Sequence, residues 1–356
     1  MYVNAALHKV GIVIKALAVL AICSMLLIYS QSSCKGAESG IEFCLSVLIP
    51  SLFPFMAVSG FLIKSGLSHR LGKPFGKLTR KIFGLGGEFA PIILLSMIGG
   101  YPVGARGIAS LKAQGRANDL EAEKAALFAV CAGPGFIVNF VGMSLYGSKT
   151  IGAVLLASQM LSVIILGIAV NFFYKGKGNH NSFVELRPSR VSVSTALVEA
   201  VADSSKGILA ICAFVVLFSA FTAIISEITS DQSTRNMIYC LLEVCTAVKQ
   251  LSQSSPVETV AFAVGFGGLC VHFQIFSALG GLKINKLIFF VIRLVQGAIT
   301  AVLAHIGLAL FPAEATVFSS ASVSNADTFT GSIASGIVII AVAVCFLFTL
   351  KSYKTN

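Results

Sequence analysis

A few side chains in this chain stand where lipid would not tolerate them. Glu243 sits in the run Tyr239-Cys240-Leu241-Leu242-Glu243-Val244-Cys245 with no charged neighbour close in sequence. Arg293 lies between Val291, Ile292, Leu294 and Val295, and Gln296 follows three residues on, on the same helical face. His272 and Gln274 come from the preceding apolar window. Ionisable groups at membrane depth need a partner or water and mark solute or ion sites by default. Two readings fit these five residues. They form a polar cluster that takes a small solute, or Glu243 and Arg293 form a buried ion pair that fixes packing, at a desolvation cost that makes it a poor simple stabiliser.

The second kind of chemistry belongs to the backbone. The segment Gly99-Gly100-Tyr101-Pro102-Val103-Gly104-Ala105-Arg106-Gly107 stands at the centre of an apolar stretch long enough to cross a bilayer. Pro102 removes a donor and clashes with the preceding turn, while the glycines relax the helix. Freed backbone groups cannot face lipid, so this stretch lines protein or water. A broken helix whose ends supply ligands is one reading, and a tightly packed kink is the other. Arg106, just past the break, either binds an anionic group or anchors the segment to headgroups. Gly133-Pro134-Gly135 interrupts a later window with Asn139 about one turn beyond, either exposing carbonyls to a ligand or marking a close helix crossing.

The elements that must hold these residues are membrane helices. Of 356 residues, 56% are hydrophobic and only 12% charged, against about a quarter charged in soluble domains. Apolar windows of about 20 residues near 11–29, 41–63, 125–146, 151–173, 207–228, 257–281, 287–311 and 332–350 predict about eight transmembrane helices in an all-α membrane protein. The shorter pieces 88–112 and 236–252 read as two re-entrant or broken hairpins, with ten full spans as the alternative. The net charge of +11 is concentrated on one side, with Lys64, Arg70, Lys73, Lys77, Arg80 and Lys81 in a single loop. That asymmetry sets orientation rather than nucleic-acid binding, and places both termini on the cytoplasmic side of the membrane. Residues 1–30 resemble a signal peptide but read as an uncleaved anchor, because the apolar run is long and Gln31-Ser32-Ser33-Cys34 is a poor processing site.

The polar segment around 175–206 divides the chain. The predicted organisation is an anchor and second span over 1–64, a first repeat over 65–174, a linker over 175–206, a second repeat over 207–312, and an outer loop with a last span over 313–356. Each repeat offers an interrupted piece followed by two spans. Setting residue 133 on residue 267 matches Gly133 with Gly267 and Gly147 with Gly281. By topology the two units are inverted, the arrangement that permits alternating access around a central site. The expected partners are the lipid bilayer and an unknown small solute; nucleic acid is excluded, and self-association is left open.

No P-loop, HExxH, nucleophile elbow or dinucleotide fingerprint is present, which argues against an enzyme. The nine cysteines show no CxxC or zinc spacing, so neither metal nor cofactor is called for. In their order, Leu48-Ile49-Pro50-Ser51-Leu52-Phe53-Pro54-Phe55, Gly99 to Arg106, Gly133-Pro134-Gly135-Phe136-Ile137, and the later Gly142 and Gly147 resemble the YlbJ-type sporulation integral membrane proteins. That family is similar to the wider nucleoside-recognition or Gate group. The resemblance implies an endospore-forming bacterium and a role in spore formation at the cortex stage, without supplying a substrate. Joined to the residue reading, it predicts a carrier-like transporter of a small polar or anionic solute, or alternatively a non-transporting assembly protein of the spore membrane.

Overall fold

The computed structural model describes residues 2–174 and 192–312, with no side-chain detail for residues 2–12, 14, 18 and 69. The predicted span 332–350, the outer loop after residue 312 and most of the linker lie outside the described residues. Those described are helical, with no strand among them. Five helices are long and apolar enough to cross a membrane: Ser30–Lys64, Lys149–Phe173, Val193–Ile228, Val257–Ala278 and Lys286–Leu310.

The chain begins with α1 (Tyr2–Ile28), α2 (Ser30–Phe43), a π turn (Cys44–Leu48) and α3 (Ile49–Lys64). Residues 30–40 therefore extend the second span as helix instead of forming a loop before it. Gly36 and Gly40 allow this extension, because their bare backbones lie against Ser219 and its neighbours on the later helix Val193–Ile228. Short α4 (Leu67–Gly72) and α5 (Gly76–Phe83) carry the basic cluster, and α6 (Phe89–Gly99) and α7 (Tyr101–Ala113) follow. The α6–α7 pair is a hairpin, not a kinked span. A Cβ on Gly107 would meet Ile92, and one on Gly104 would meet Ser96, so the two helices run back along each other. Neither reaches the roughly 20 residues a crossing needs.

Next come α8 (Asp119–Phe128), an extended break, a π-helical stretch (Gly135–Leu145) and α9 (Lys149–Phe173). Asn118 caps α8, its side chain accepting the Glu121 N–H while Glu121 accepts the Asn118 N–H. The second half opens with α10 (Val193–Ile228), then α11 (Gln232–Leu242) and α12 (Val244–Ser254). These two also fold back on each other, since Asn236 Nδ2 donates to Ser254 Oγ at 3.1 Å. The chain then runs through α13 (Val257–Phe266), α14 (Gly268–Ala278) and α15 (Lys286–Leu310). The longest packing contacts join α2 and α3 to α10, α13 to α15, and α9 to α15.

The burial pattern on α15 explains how a polar interior survives in a membrane helix. Phe289, Arg293, Gln296, Gly297, Thr300 and Ala304 recur at helical spacing and are buried. Leu287, Val291, Leu294, Val302 and Leu310 face outward, where lipid replaces water.

Candidate functional site

Two pairs of helix breaks meet at the centre. The α6–α7 turn at Gly100 lies against the break after α8: a Cβ on Gly133 would come within 3.0 Å of the Gly100 nitrogen and of the Ile98 carbonyl oxygen. Gly100 has φ +89° and ψ 179°, a region only glycine occupies without strain. The α11–α12 turn at Glu243 lies in the same way against the α13–α14 break: a Cβ on Gly268, at φ +73°, would approach the Leu242 carbonyl and the Glu243 nitrogen to 3.1 Å.

Breaking a helix frees carbonyls on one side and N–H groups on the other. The structure segregates the two. On the carbonyl side, Arg293 is fully buried and donates through Nη1 to Val130 O at 2.7 Å, through Nη2 to Gly265 O at 2.6 Å and through Nε to Phe266 O at 3.3 Å. It thus sits at the C-terminal ends of α8 and α13, where aligned peptide dipoles leave partial negative charge. Its Nη1 also donates to Gln296 Oε1 at 2.5 Å, and its guanidinium lies 5.3 Å from the centre of the Tyr101 ring. The Tyr101 hydroxyl donates to Val264 O, and Ser96 Oγ donates to Ala129 O at 2.8 Å. Gln296 and Thr300 carry the network onward to Ser162 and Gln159 on α9.

On the N–H side, Glu243 caps α12. Its Oε1 accepts from Cys245 N at 2.8 Å and its Oε2 from Thr246 N at 2.7 Å. Glu243 is 1% exposed and makes no ion pair with Arg293. The α12 N-terminal dipole and these two charge-assisted bonds take the place of a cationic partner. Glu243 borders a small cavity of about 40 Å³, room for a few water molecules. Gly100, Tyr101, Pro102, Gly133 and Gln274 share its wall with apolar Leu52, Phe136, Ile211 and Val271. Among the described residues, Glu243 is its only charged lining side chain.

The residues singled out in the sequence therefore fall into distinct groups. Gly100, Tyr101, Pro102, Gly133, Glu243 and Gln274 converge on the cavity. Arg293 and Gln296 do not join them: Arg293 donates to freed carbonyls and to Gln296 Oε1, and the Gln296 amide donates to Ser162 Oγ, so the single five-residue cluster is corrected to a cavity group and a network group. His272 belongs to neither. Its Nδ1 contacts Gly268 O at 2.5 Å, and its ring packs among Phe266, Phe289 and Phe290. Asn139 is exposed, on the face of the π-helical stretch opposite buried Phe136, Ile137 and Val141. Pro134 is half-buried and opens that stretch, and Gly99 packs against Phe55 and Val103. Gly104 is a packing residue, since a Cβ there would lie 2.3 Å from Ala129 O. Arg106 bonds to the Asp203 carbonyl at 2.6 Å and lies over Gly207, which ties the first hairpin to α10. Two carbonyls of the break after α8, those of Ala129 and Val130, are taken by Ser96 and Arg293. Sequence reasoning missed Ser96, Gln159, Ser162 and Thr300. Small hydroxyls and amides in apolar windows are common, and only their three-dimensional convergence sets these apart.

The fold and this centre define an integral membrane protein of α-helices, with two helical hairpins whose turns meet broken helices at a buried cavity. Comparison with known proteins narrows the class. The chain is similar to the sporulation integral membrane protein YlbJ of Bacillus subtilis (strain 168), 23% identical over 336 residues, covering 83% of this chain and 82% of that protein. This match supports membership of the YlbJ-type family, in agreement with the motif resemblance. No family model matches the chain, and no solved structure matches it.

Proposed function

We propose that this chain is a carrier-like membrane protein of spore formation that moves a small polar solute through the cavity bordered by Glu243. The cortex stage is where the family resemblance puts it. The single observation behind the carrier reading is the meeting of two hairpin turns and two broken helices around a cavity that contains a carboxylate. Broken helices at the midplane are a common way for secondary transporters to present backbone and helix ends to a solute.

An inverted repeat accounts for the arrangement. Each half then holds a long helix, a hairpin, a broken helix and a second long helix, and Gly133 and Gly267 occupy corresponding breaks. Under that reading the contacts of α2 and α3 with α10, and of α9 with α15, pair equivalent elements across a pseudo-two-fold axis. Eight spans follow if α1, the broken pair of α8 and the π-helical stretch, and residues 332–350 are added to the five long helices. The basic loop from Lys64 to Lys81 supports an N-terminus on the inner side. Because Glu243 is, among the described residues, the only charged side chain on the cavity wall, the solute is better read as a neutral or amine-bearing polar molecule than as a free anion.

The test is uptake by purified protein in liposomes over a panel of nucleosides, amino acids, amino sugars, peptidoglycan precursors and divalent ions. Movement of at least one polar solute above protein-free liposomes supports the reading. A panel with no movement overturns it.

A further inference from the structure

The basic segment after Lys64 is folded as helix. α4, a 3₁₀ turn (Lys73–Phe75) and α5 follow one another without a break from Leu67 to Phe83. They begin just past Lys64, the last residue of the long apolar helix Ser30–Lys64, and so start at the membrane edge. At 1.5 Å per residue the run is about 25 Å long, and Gly84, at φ +61°, ends it.

With 3.6 residues per turn, its side chains fall on three faces. Ser68, Gly72, Gly76 and Thr79 form the face that packs on the protein. Ser68, Gly72 and Thr79 are buried, and a Cβ on Gly72 would run into the Gly87 carbonyl oxygen. At the end of this face the Phe83 ring stacks on Phe128 of α8, with 5.1 Å between centres. Leu71, Phe75 and Leu78 form the second face, and they are 51%, 47% and 55% exposed. Half-buried Ile82 continues it. The third face carries Arg70, Lys73, Lys77, Arg80 and Lys81, all exposed.

The charges on that third face differ from other cations nearby. Lys64 pairs with Glu199 and Asp203, Lys112 with Asp119, and Arg116 with Glu88. Among the described residues, Arg70, Lys73, Lys77 and Lys81 make no ion pair, and no Asp or Glu stands between Leu67 and Phe83. A helix with an exposed Leu and Phe stripe beside an uncompensated Lys and Arg face matches the boundary between acyl chains and anionic headgroups on both sides.

We infer that α4 and α5 form an in-plane helix at the membrane surface that binds anionic phospholipid headgroups in the leaflet on the Lys64 side. Leu71, Phe75 and Leu78 enter the acyl boundary, and the Lys and Arg stems carry their charges up to the phosphates. The packed face fastens this helix to the start of α6 and, through Phe83, to α8. The inference depends on neither transport nor the Glu243 cavity.

The full chain is purified from an equimolar mixture of phosphatidylglycerol and phosphatidylcholine, and the lipids it retains are measured by mass spectrometry. Wild type is expected to enrich phosphatidylglycerol. The combined Lys73→Gln, Lys77→Gln and Lys81→Gln variant should lower that enrichment about tenfold or more, since each cation near the surface adds to the attraction. Leu71→Ser with Leu78→Ser should lower it as well, because the cations reach the phosphates only while the helix lies in the interface. Unfolding midpoints in phosphatidylcholine alone identify the folded variants. If the glutamine variant does not fold, a salt series on wild type decides, and enrichment that does not fall with salt overturns the proposal. Enrichment unchanged in the folded variants also overturns it and leaves the basic face to a soluble acidic partner. Displacement of the lipid by free glycerol phosphate would assign the cations to a soluble anion and overturn the lipid assignment.

Discussion

Replacing Arg293 by alanine should cost the fold, not the solute. The guanidinium satisfies three carbonyls, those of Val130, Gly265 and Phe266, and each sits at a helix end that no intrahelical donor can reach. Leaving a buried acceptor unpaired costs about 1–3 kcal/mol, so three of them cost about 3–9 kcal/mol, before the lost contact with Tyr101 is counted. Native proteins hold only about 5–15 kcal/mol in total. At about 2 °C per kcal/mol, the midpoint of thermal unfolding should fall by roughly 6 °C or more, and abundance in the membrane should fall with it. Arg293→Lys should recover only part of the loss, because an ammonium lacks the planar fork that reaches separate carbonyls. The assay is thermal unfolding of purified protein in one detergent, with membrane abundance measured in parallel. An Arg293→Ala protein with wild-type stability and abundance but no function would refute the division between a structural arginine and a functional carboxylate.

Other substitutions should separate packing from site in the same way. Gly104→Ala puts a methyl group 2.3 Å from Ala129 O and 2.4 Å from Ser96 Oγ, so stability and function should fall in step, as read by unfolding midpoint and sporulation frequency. Gly100→Ala imposes a side chain on a φ of +89° at a cost of about 1–3 kcal/mol, and its unfolding midpoint should drop without aggregation in the membrane. A cysteine placed at Ser230 should react with an impermeant thiol reagent added outside intact cells, and one at Gly76 should not. Labelling at Gly76 would reverse the proposed orientation.

The breaks of the first half were legible in the sequence, while the one at Gly267-Gly268 lay inside the window 257–281, which reads as a single span. Gly100 with Pro102, and Gly133 with Pro134, disrupt helices through local chemistry that neighbours cannot repair, so hydropathy and breaker density suffice to find them. Glu243 was legible for a similar reason: a lone carboxylate in an apolar run must have a purpose. What it does locally was less visible, since capping α12 depends on the chain turning at Leu242, and no glycine or proline announces that turn. The role of Arg293 was misread because its partners are backbone carbonyls from 27, 28 and 163 residues away in sequence, and carbonyls carry no residue identity for a sequence to display. Residues 30–40 looked like a loop because Glu38, Lys35 and the serines are polar. Packing of Gly36 and Gly40 against α10 holds them helical.

The central claim is that the Glu243 carboxylate serves a solute while Arg293 serves the fold, and solute uptake by Glu243→Gln in liposomes at matched protein abundance tests it most directly. The glutamine side-chain oxygen can still accept one of the two capping N–H groups, so the loss of stability should stay near 1 kcal/mol. The account predicts that Glu243→Gln inserts like wild type and unfolds within about 2 °C of it, yet loses most uptake of whichever panel solute the wild type moves. Undiminished uptake by that variant would contradict it.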